Sequence, residues 1–284
     1  MQVEQEFNDP HHRIVTEYSV LQYLAAFSIP GIVRMHGLCS DKNTRGLVLD
    51  CYLPHDFSPQ YTHLRSLVDV VNAQSLSEDA ATTLFYRMLD IVHAMHDKNV
   101  VHCDLRLDNF WLNIQTGELQ LVNFDLAKVL RDADGLRVDH WAPPSHASPE
   151  LISNKPYAAK PNDMWAMGVM YFNLLFRRYP FWEKALSQLY RKIASGQYII
   201  PKPIRGSTAS VIRGLLECDP TKRLTALQAR FQLGSMSIPK ELQAVPSMDV
   251  NTDVRVLTRK ELVNVLHLSR DGPPGSMQSY LRNL

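Results

Sequence analysis

The chain has 284 residues, of which 45% are hydrophobic and 21% are charged, a balance typical of a soluble globular protein. Its formal net charge is +1 and its basic residues form no dense run, which disfavours a direct nucleic-acid partner. The longest apolar stretch, Met164–Phe176, is too short to span a bilayer, so we expect no membrane association. Residues 1–12 lack the basic and apolar regions of a secretory signal. Four cysteines without CxxC spacing favour reduced thiols and disfavour a metal site.

The first predicted elements are one helix and one hairpin. Apolar residues recur at helical spacing over 14–27, and Pro30 and Gly31 then interrupt the pattern. Residues 32–38 and 45–53 are apolar segments on either side of a polar turn, which predicts a β-hairpin.

Helices dominate the rest of the chain, with short strands between them. A long amphipathic helix is predicted to begin near Ser77. Apolar segments predict three short strands, at 100–101, 110–112 and 119–122. Further helices are predicted from about Pro161 to Leu233, and the polar sequence after Gly234 predicts a mostly disordered tail with one short helix at Thr258–Leu268. In chain order, the predicted elements are a helix, a hairpin, helices with short strands, a helical block and a tail.

Five motifs occur in an order that one known family shares. They are VHCDLRLDN at Val101–Asn109, NFD at Asn123–Asp125, ASPEL at Ala147–Leu151, NDMWAMGV at Asn162–Val169 and CDPTKRLTA at Cys218–Ala226. They resemble the catalytic loop, the DFG and APE motifs, the central helix and the late arginine motif of protein kinases. One such match would be weak, but five in order over residues 14–233 are specific.

The resemblance implies an α+β, protein kinase-like fold with a mainly helical C-lobe. Residues 1–53 would form a residual N-lobe without strands β1–β3 of kinases, residues 54–233 the C-lobe, and residues 234–284 a flexible tail. Four residues are expected to serve the structure: His102, Glu150, Asp163 and Arg223. Asp163 should accept hydrogen bonds from the catalytic-loop backbone, and Glu150 should form a buried ion pair with Arg223.

Phosphoryl transfer in kinases needs a Gly-rich loop, a lysine paired with a helix glutamate, and groups that hold metal ions. Glu17 matches the glutamate, but the first lysine is Lys42 and no GxGxxG occurs. Asn123 stands where the DFG aspartate would bind Mg²⁺. Asp104 and Asn109 keep the positions of the catalytic base and a metal ligand, and we expect them to be vestigial. The chain is therefore predicted not to be an enzyme and to need no cofactor.

Activation by phosphorylation is not expected either. Cys103 replaces the HRD arginine that would bind the activation-loop phosphate. Residues 128–144, where that loop should lie, contain no Ser, Thr or Tyr.

A closer resemblance rests on six segments: HRIVTEYSVLQYL, LVLDCYLPHDFS, KPNDMWAMGVMYFNLLFRRYPF, LYRKIASGQYIIP, ELQAVPSMD and the terminal SYLRNL. They resemble the family of serine/threonine-protein kinase 40, a relative of the Tribbles pseudokinases. The resemblance implies a signalling scaffold of the nucleus and cytoplasm that presents substrate proteins to the recognition domain of an E3 ubiquitin ligase. Its docking peptide would contain Glu241, Gln243, Val245 and Pro246. Ser247 departs from the family, which usually has an acidic residue there.

Other interpretations stay open. The main alternative is an active Ser/Thr protein kinase that uses ATP and Mg²⁺, its N-lobe having been lost from this isoform or gene model. A non-functional fragment is a third hypothesis. On pattern alone, residues 239–250 are also compatible with a plain linker, because Val-Pro is a common dipeptide.

Overall fold

The computed structural model describes residues 10–40, 45–50, 64–130, 136–137, 142–153 and 156–234. The predicted tail, including the helix at Thr258–Leu268 and the Val-Pro peptide, lies outside these residues. So does the predicted boundary near residue 53.

The first elements are a helix and a hairpin. Helix α1 spans Pro10–Ala25, and strands β1 (Met35–Ser40) and β2 (Arg45–Leu49) pair antiparallel. Three side chains of α1 join the main hydrophobic core: Val20, Leu21 and Leu24. The predicted helix and hairpin are confirmed, although α1 begins and ends a few residues earlier than its apolar spacing suggested.

The linker between α1 and β1 is tied to strand β6 (Leu119–Leu121). The backbone N–H of Leu121 donates to the carbonyl of Gly31 at 2.7 Å, and that of Val33 donates to the carbonyl of Leu121 at 3.0 Å. Gly31 has a φ of 82°, and a Cβ there would lie 2.6 Å from the Ile91 side chain. A glycine is therefore required where the chain passes from α1 to the hairpin.

Two elements that the sequence pattern did not predict follow the hairpin. They are strand β3 (Leu64–Ser66) and helix α2 (Leu67–Ala73), whose N-cap is the Ser66 side chain. Helix α3 spans Glu78–Asp97, and its N-cap is Ser77, near which the helix was predicted to begin. The Ser77 hydroxyl accepts a hydrogen bond from a backbone N–H of the first turn.

Short strands frame the loops after α3. They are β4 (Val100–Val101), β5 (Phe110–Asn113), β6, β7 (Lys128–Val129), β8 (Leu136–Arg137) and β9 (Tyr157–Ala158). One antiparallel sheet has the order β3-β5-β6, while β4 pairs with β7 and β8 with β9. A 3₁₀ turn at Leu107–Asn109 leads into β5. These pairings bring the NFD segment, between β6 and β7, beside the loop between β4 and β5.

The helical block contains the centre of the core. Its helices are α4 (Pro149–Ile152), α5 (Ala159–Phe176), α6 (Leu186–Ser195), α7 (Gly206–Leu215) and α8 (Ala226–Leu233). Helix α5 is buried on almost every side, which explains its long apolar sequence. The predicted α+β fold with a helical C-lobe is confirmed. No helix among the described residues is long and apolar enough to cross a membrane.

Candidate functional site

The buried carboxylate of Asp163, on α5, holds the loop that follows β4. It accepts hydrogen bonds from the backbone N–H groups of His102 and Cys103, both at 2.9 Å, and contacts His96 Nε2 at 3.0 Å. Burial opposes ionisation of Asp163, but these hydrogen bonds outweigh it and its pKa lies below the usual value. Cys103 has a φ of 66°, a left-handed conformation that costs a non-glycine residue free energy, and Asp163 offsets that cost.

The imidazole of His102 joins this loop to the NFD segment. Its Nε2 donates to the carbonyl of Val122 at 3.1 Å, and its Nδ1 accepts from the backbone N–H of Asp104 at 3.3 Å. The ring meets Phe124 edge to face, with 4.9 Å between centroids. Complete burial lowers the pKa of His102, although nearby carboxylates oppose the shift. His102 is therefore a neutral link between the two segments.

Asp104 and Asn109 form one hydrogen-bonded unit. Asn109 Nδ2 donates to the backbone carbonyl of Asp104 at 2.7 Å and to its Oδ2 at 3.1 Å. The other carboxylate oxygen, Oδ1, is buried without a hydrogen-bond partner among the described residues. Burial raises the pKa of Asp104, while His102 and Asn109 act in the opposite direction. The structure therefore brings Asp104 and Asn109, two of the predicted site residues, into direct contact.

Asn123 faces this pair across the site. It has a φ of 65°, a conformation that asparagine adopts more readily than most residues, and its Nδ2 donates to Asn109 Oδ1 at 3.4 Å. A pair of Mg²⁺ ions would need oxygen donors, and carboxylates above all, at these positions. An amide N–H directed at the second ligand does not fit that requirement. In addition, no group of three or more His, Cys, Asp and Glu side chains within the described ranges is placed to hold a metal ion.

Helix α1 reaches the same site through two polar contacts. Glu17 Oε1 accepts the backbone N–H of Phe124 at 2.9 Å, and Arg13 Nη1 lies 3.2 Å from Asp125 Oδ2. Burial is the main cause of the raised pKa of Glu17. The sequence identified Glu17 as the helix glutamate, but it gave no sign that Arg13 would pair with Asp125, 112 residues away.

Glu150 and Arg223, which the sequence paired, are in contact. Arg223 donates to both carboxylate oxygens of Glu150, at 2.5 and 2.9 Å, and its own side chain is fully buried. This fork-shaped pairing links α4 to the segment before α8.

A polar group beside the catalytic loop was missed. His146 is buried next to Tyr179, with 5.6 Å between ring centroids. Arg106 and Asp108 lie near enough to influence the pKa of His146. Only the position of His146, four residues before the glutamate of the APE-like motif, could have indicated it. Glu241, Gln243, Val245 and Pro246 lie outside the described residues.

Comparison with known proteins shows the family to which the chain is similar. A family model described as "Protein kinase domain" matches residues 1–232. Serine/threonine-protein kinase 40 of Xenopus tropicalis is 36% identical over 263 residues, covering 82% of this chain and 59% of that protein. The Homo sapiens protein of that name is also 36% identical over 263 residues, covering 82% and 60%. Serine/threonine protein kinase OSK3 of Oryza sativa subsp. indica is 29% identical over 269 residues, covering 93% and 50%. The chain therefore spans about 60% of the length of the kinase 40 relatives.

Proposed function

The chain belongs to the protein kinase family, and we propose that within this family it is a catalytically impaired scaffold rather than a phosphotransferase. The observation that carries the proposal is the amide of Asn123, which donates to Asn109 Oδ1 at 3.4 Å. Two residues at metal-holding positions thus satisfy each other, and the one that should supply a carboxylate offers an N–H.

The environment of the neighbouring carboxylates supports this proposal. Glu17, which would hold a lysine in an active kinase, accepts the backbone N–H of Phe124. Asp104 is at the base position, but a base contributes to phosphoryl transfer only beside a held phosphate and metal. Both carboxylates therefore have structural uses that need no reaction.

The alternative is an active Ser/Thr kinase whose ATP-binding strands belong to a longer form. The names of the three relatives favour it, since each calls its protein a serine/threonine protein kinase. The retention of Asp104 and Asn109 favours it as well. Asn123 opposes it in any form of the chain.

A phosphotransfer assay separates these two functions. The full chain would be incubated with radiolabelled ATP, Mg²⁺ and a generic protein substrate, beside Asp104→Asn and Asn123→Asp variants. We expect the wild type to incorporate no more phosphate than Asp104→Asn, and ATP with Mg²⁺ to leave its melting temperature unchanged, because a ligand that does not bind gives no mass-action stabilisation. Mg²⁺-dependent incorporation that Asp104→Asn abolishes would contradict the proposal.

The proposal includes a partner, the recognition domain of an E3 ubiquitin ligase, to which the scaffold would bring substrate proteins in the nucleus and cytoplasm. The docking peptide would be residues 239–250, with Val245 and Pro246 as anchors and Glu241 and Gln243 at its edge. Proline restricts the backbone to an extended form and so lowers the entropy lost on binding, while valine fills a small pocket. The support is the resemblance of ELQAVPSMD to the family's peptide.

Titration of a synthetic peptide tests this partner. We expect the peptide of residues 239–250 to bind the purified recognition domain, and a Val245→Ala, Pro246→Ala peptide to lose about 2 kcal/mol or more. Phosphorylation of Ser247 should tighten binding if the acidic character at that position matters. Equal binding of the wild-type and double-variant peptides would exclude this mode of docking.

A further inference from the structure

The loop between α5 and α6 exposes large apolar side chains next to the candidate site. Trp182 is 64% exposed, Leu186 52% and Tyr179 37%. Phe181, by contrast, is buried and stacks on Trp165 with 5.6 Å between centroids. The buried ring fixes the loop, so Trp182 is held outward by the fold.

The sequence segment that carries this apolar group is rich in basic residues. Residues 177–192 contain one acidic residue, Glu183, and five basic residues: Arg177, Arg178, Lys184, Arg191 and Lys192. The whole chain has a net charge of only +1, so positive charge is concentrated here. Arg177 donates to the carbonyl of Asn72, and Lys192 pairs with Glu183. Arg178, Lys184 and Arg191 are exposed, and Arg191 also donates to a carbonyl of its own helix.

The apolar group continues toward the candidate site. Tyr179 meets His146 edge to face at 5.6 Å and lies near Arg106. Helix α6, which begins at Leu186, packs against α4. The surface therefore consists of this loop and the first residue of α6, and it borders the catalytic-loop segment through Tyr179.

We propose that Tyr179, Trp182 and Leu186, here called the Trp182 surface, dock an acidic segment of a client protein. An apolar side chain of the client would pack on Trp182, and its carboxylates would meet the exposed basic residues. Tryptophan and tyrosine dominate binding energy at protein interfaces, whereas complementary charge sets association rate and partner choice. The assignment rests on the proposed scaffold function, because a scaffold needs a surface for its client that is separate from the ligase peptide.

Peptide selection tests which kind of segment the Trp182 surface binds. A phage-displayed random peptide library would be selected on the full chain and counter-selected on a Trp182→Ala variant. We expect enriched peptides to combine acidic residues with an apolar or aromatic one. The affinity of a synthetic enriched peptide should fall roughly 30-fold or more with Trp182→Ala. The affinity should also fall with Lys184→Glu. This second loss should be smaller at high salt, because salt screens the charges.

Two matched controls guard against general effects. Phe231, 86% exposed on α8, provides Phe231→Ala as a control for loss of an exposed aromatic residue, and Arg34→Glu controls for charge reversal elsewhere. Both should leave peptide affinity unchanged, and all variants should keep the wild-type denaturation midpoint.

Several results would overturn the assignment. One is a selection whose peptides are not enriched in acidic residues. Another is equal binding of the selected peptide to the wild type and to Trp182→Ala. Concentration-dependent self-association that Trp182→Ala abolishes would assign the surface to a second copy of the chain instead. None of these results depends on phosphotransfer, so this assignment and the proposed loss of catalysis fail separately.

Discussion

His146 lies in the turn before α4, where its Nδ1 is 3.0 Å from the hydroxyl of Ser145 and its ring meets that of Tyr179. Burial lowers its pKa from 6.5 to about 4, and the positive charge of Arg106 acts in the same direction. The neutral imidazole is therefore the form that this site accommodates. Protonation of His146 in the folded state costs part of the fold's stability.

The stability of the protein should consequently fall as the pH drops from 6.5 to about 4. In this window the unfolded chain binds a proton at residue 146 that the folded chain does not, so the free energy of unfolding decreases toward acid. Across the whole window the contribution of His146 is on the order of 3 kcal/mol. Denaturant titrations at several pH values should show a shallower acid dependence in His146→Gln than in the wild type.

A His93→Gln variant provides the matched control, because His93 is a partly exposed histidine on α3. Subtracting each variant's profile from that of the wild type removes the acid effects that other groups share. If His146→Gln and the wild type lost stability in parallel between pH 6.5 and 4, the buried histidine would not be the cause.

The motifs indicated which residues form the site, and the structure adds the contacts that hold them in place. Cys103 and Asn123 were recognised by their places in two motifs, but no sequence pattern shows that both have left-handed backbones. The hydrogen bond that the backbone N–H of Cys103 donates to Asp163 joins residues 60 positions apart. Contacts of that separation depend on the whole fold, so local sequence cannot specify them.

Among the helices, Arg223 connects α4, α5 and the loop that follows α7. Besides both oxygens of Glu150, it donates to the carbonyl of Pro161, at 2.8 Å, and to that of Glu217, at 2.9 Å. Its guanidinium lies 5.0 Å from the centre of the Trp165 ring. Loss of any of these partners would leave part of the buried guanidinium unpaired, which costs stability.

Removing either partner of this pair should therefore be costly. We expect Glu150→Ala or Arg223→Ala to lower the free energy of unfolding by about 3–5 kcal/mol, because each leaves a buried charge uncompensated. The double variant should lose less than the sum of the two losses. Chemical denaturation of the three variants measures both effects.

An exposed ion pair serves as the control. Arg205 contacts Asp79 at the surface, and Arg205→Ala should cost below about 1 kcal/mol. Losses of that small size for both Glu150→Ala and Arg223→Ala would mean that the buried pair contributes little.

Element length determined which elements the sequence could predict. Helix α3 was found with its cap at Ser77, and α5 through its apolar run, because long periodic patterns are distinctive. Strands of two residues, such as β7 and β9, carry no alternation to recognise. They form because the loops on either side bring their backbones together.

Across the whole molecule, the parts before and after residue 63 differ in how they are supported. The C-lobe helices share one large core centred on α5, whereas β1 and β2 form a two-stranded sheet of their own. An isolated two-stranded hairpin is at best marginally stable in water. Helix α1 adds three core side chains and its polar contacts to Phe124 and Asp125. Together with Val33, which is also in the core, and the two backbone hydrogen bonds between the α1–β1 linker and β6, these contacts attach the first part to the second.

Native-state hydrogen exchange should therefore show residues 10–50 opening more readily than residues 78–233, since regions with few buried contacts have the lowest local opening free energies. Within the first region, Glu17→Ala should speed exchange in α1 further, by roughly tenfold, because it leaves the buried N–H of Phe124 without its acceptor. Val15→Ala is the matched control on the same helix, as Val15 is half exposed and its loss should change exchange little. Equal protection of the two regions would mean that a further segment covers the hairpin side of α1. Unchanged exchange in Glu17→Ala would mean that the apolar face of α1, rather than its contact with Phe124, holds the helix in place.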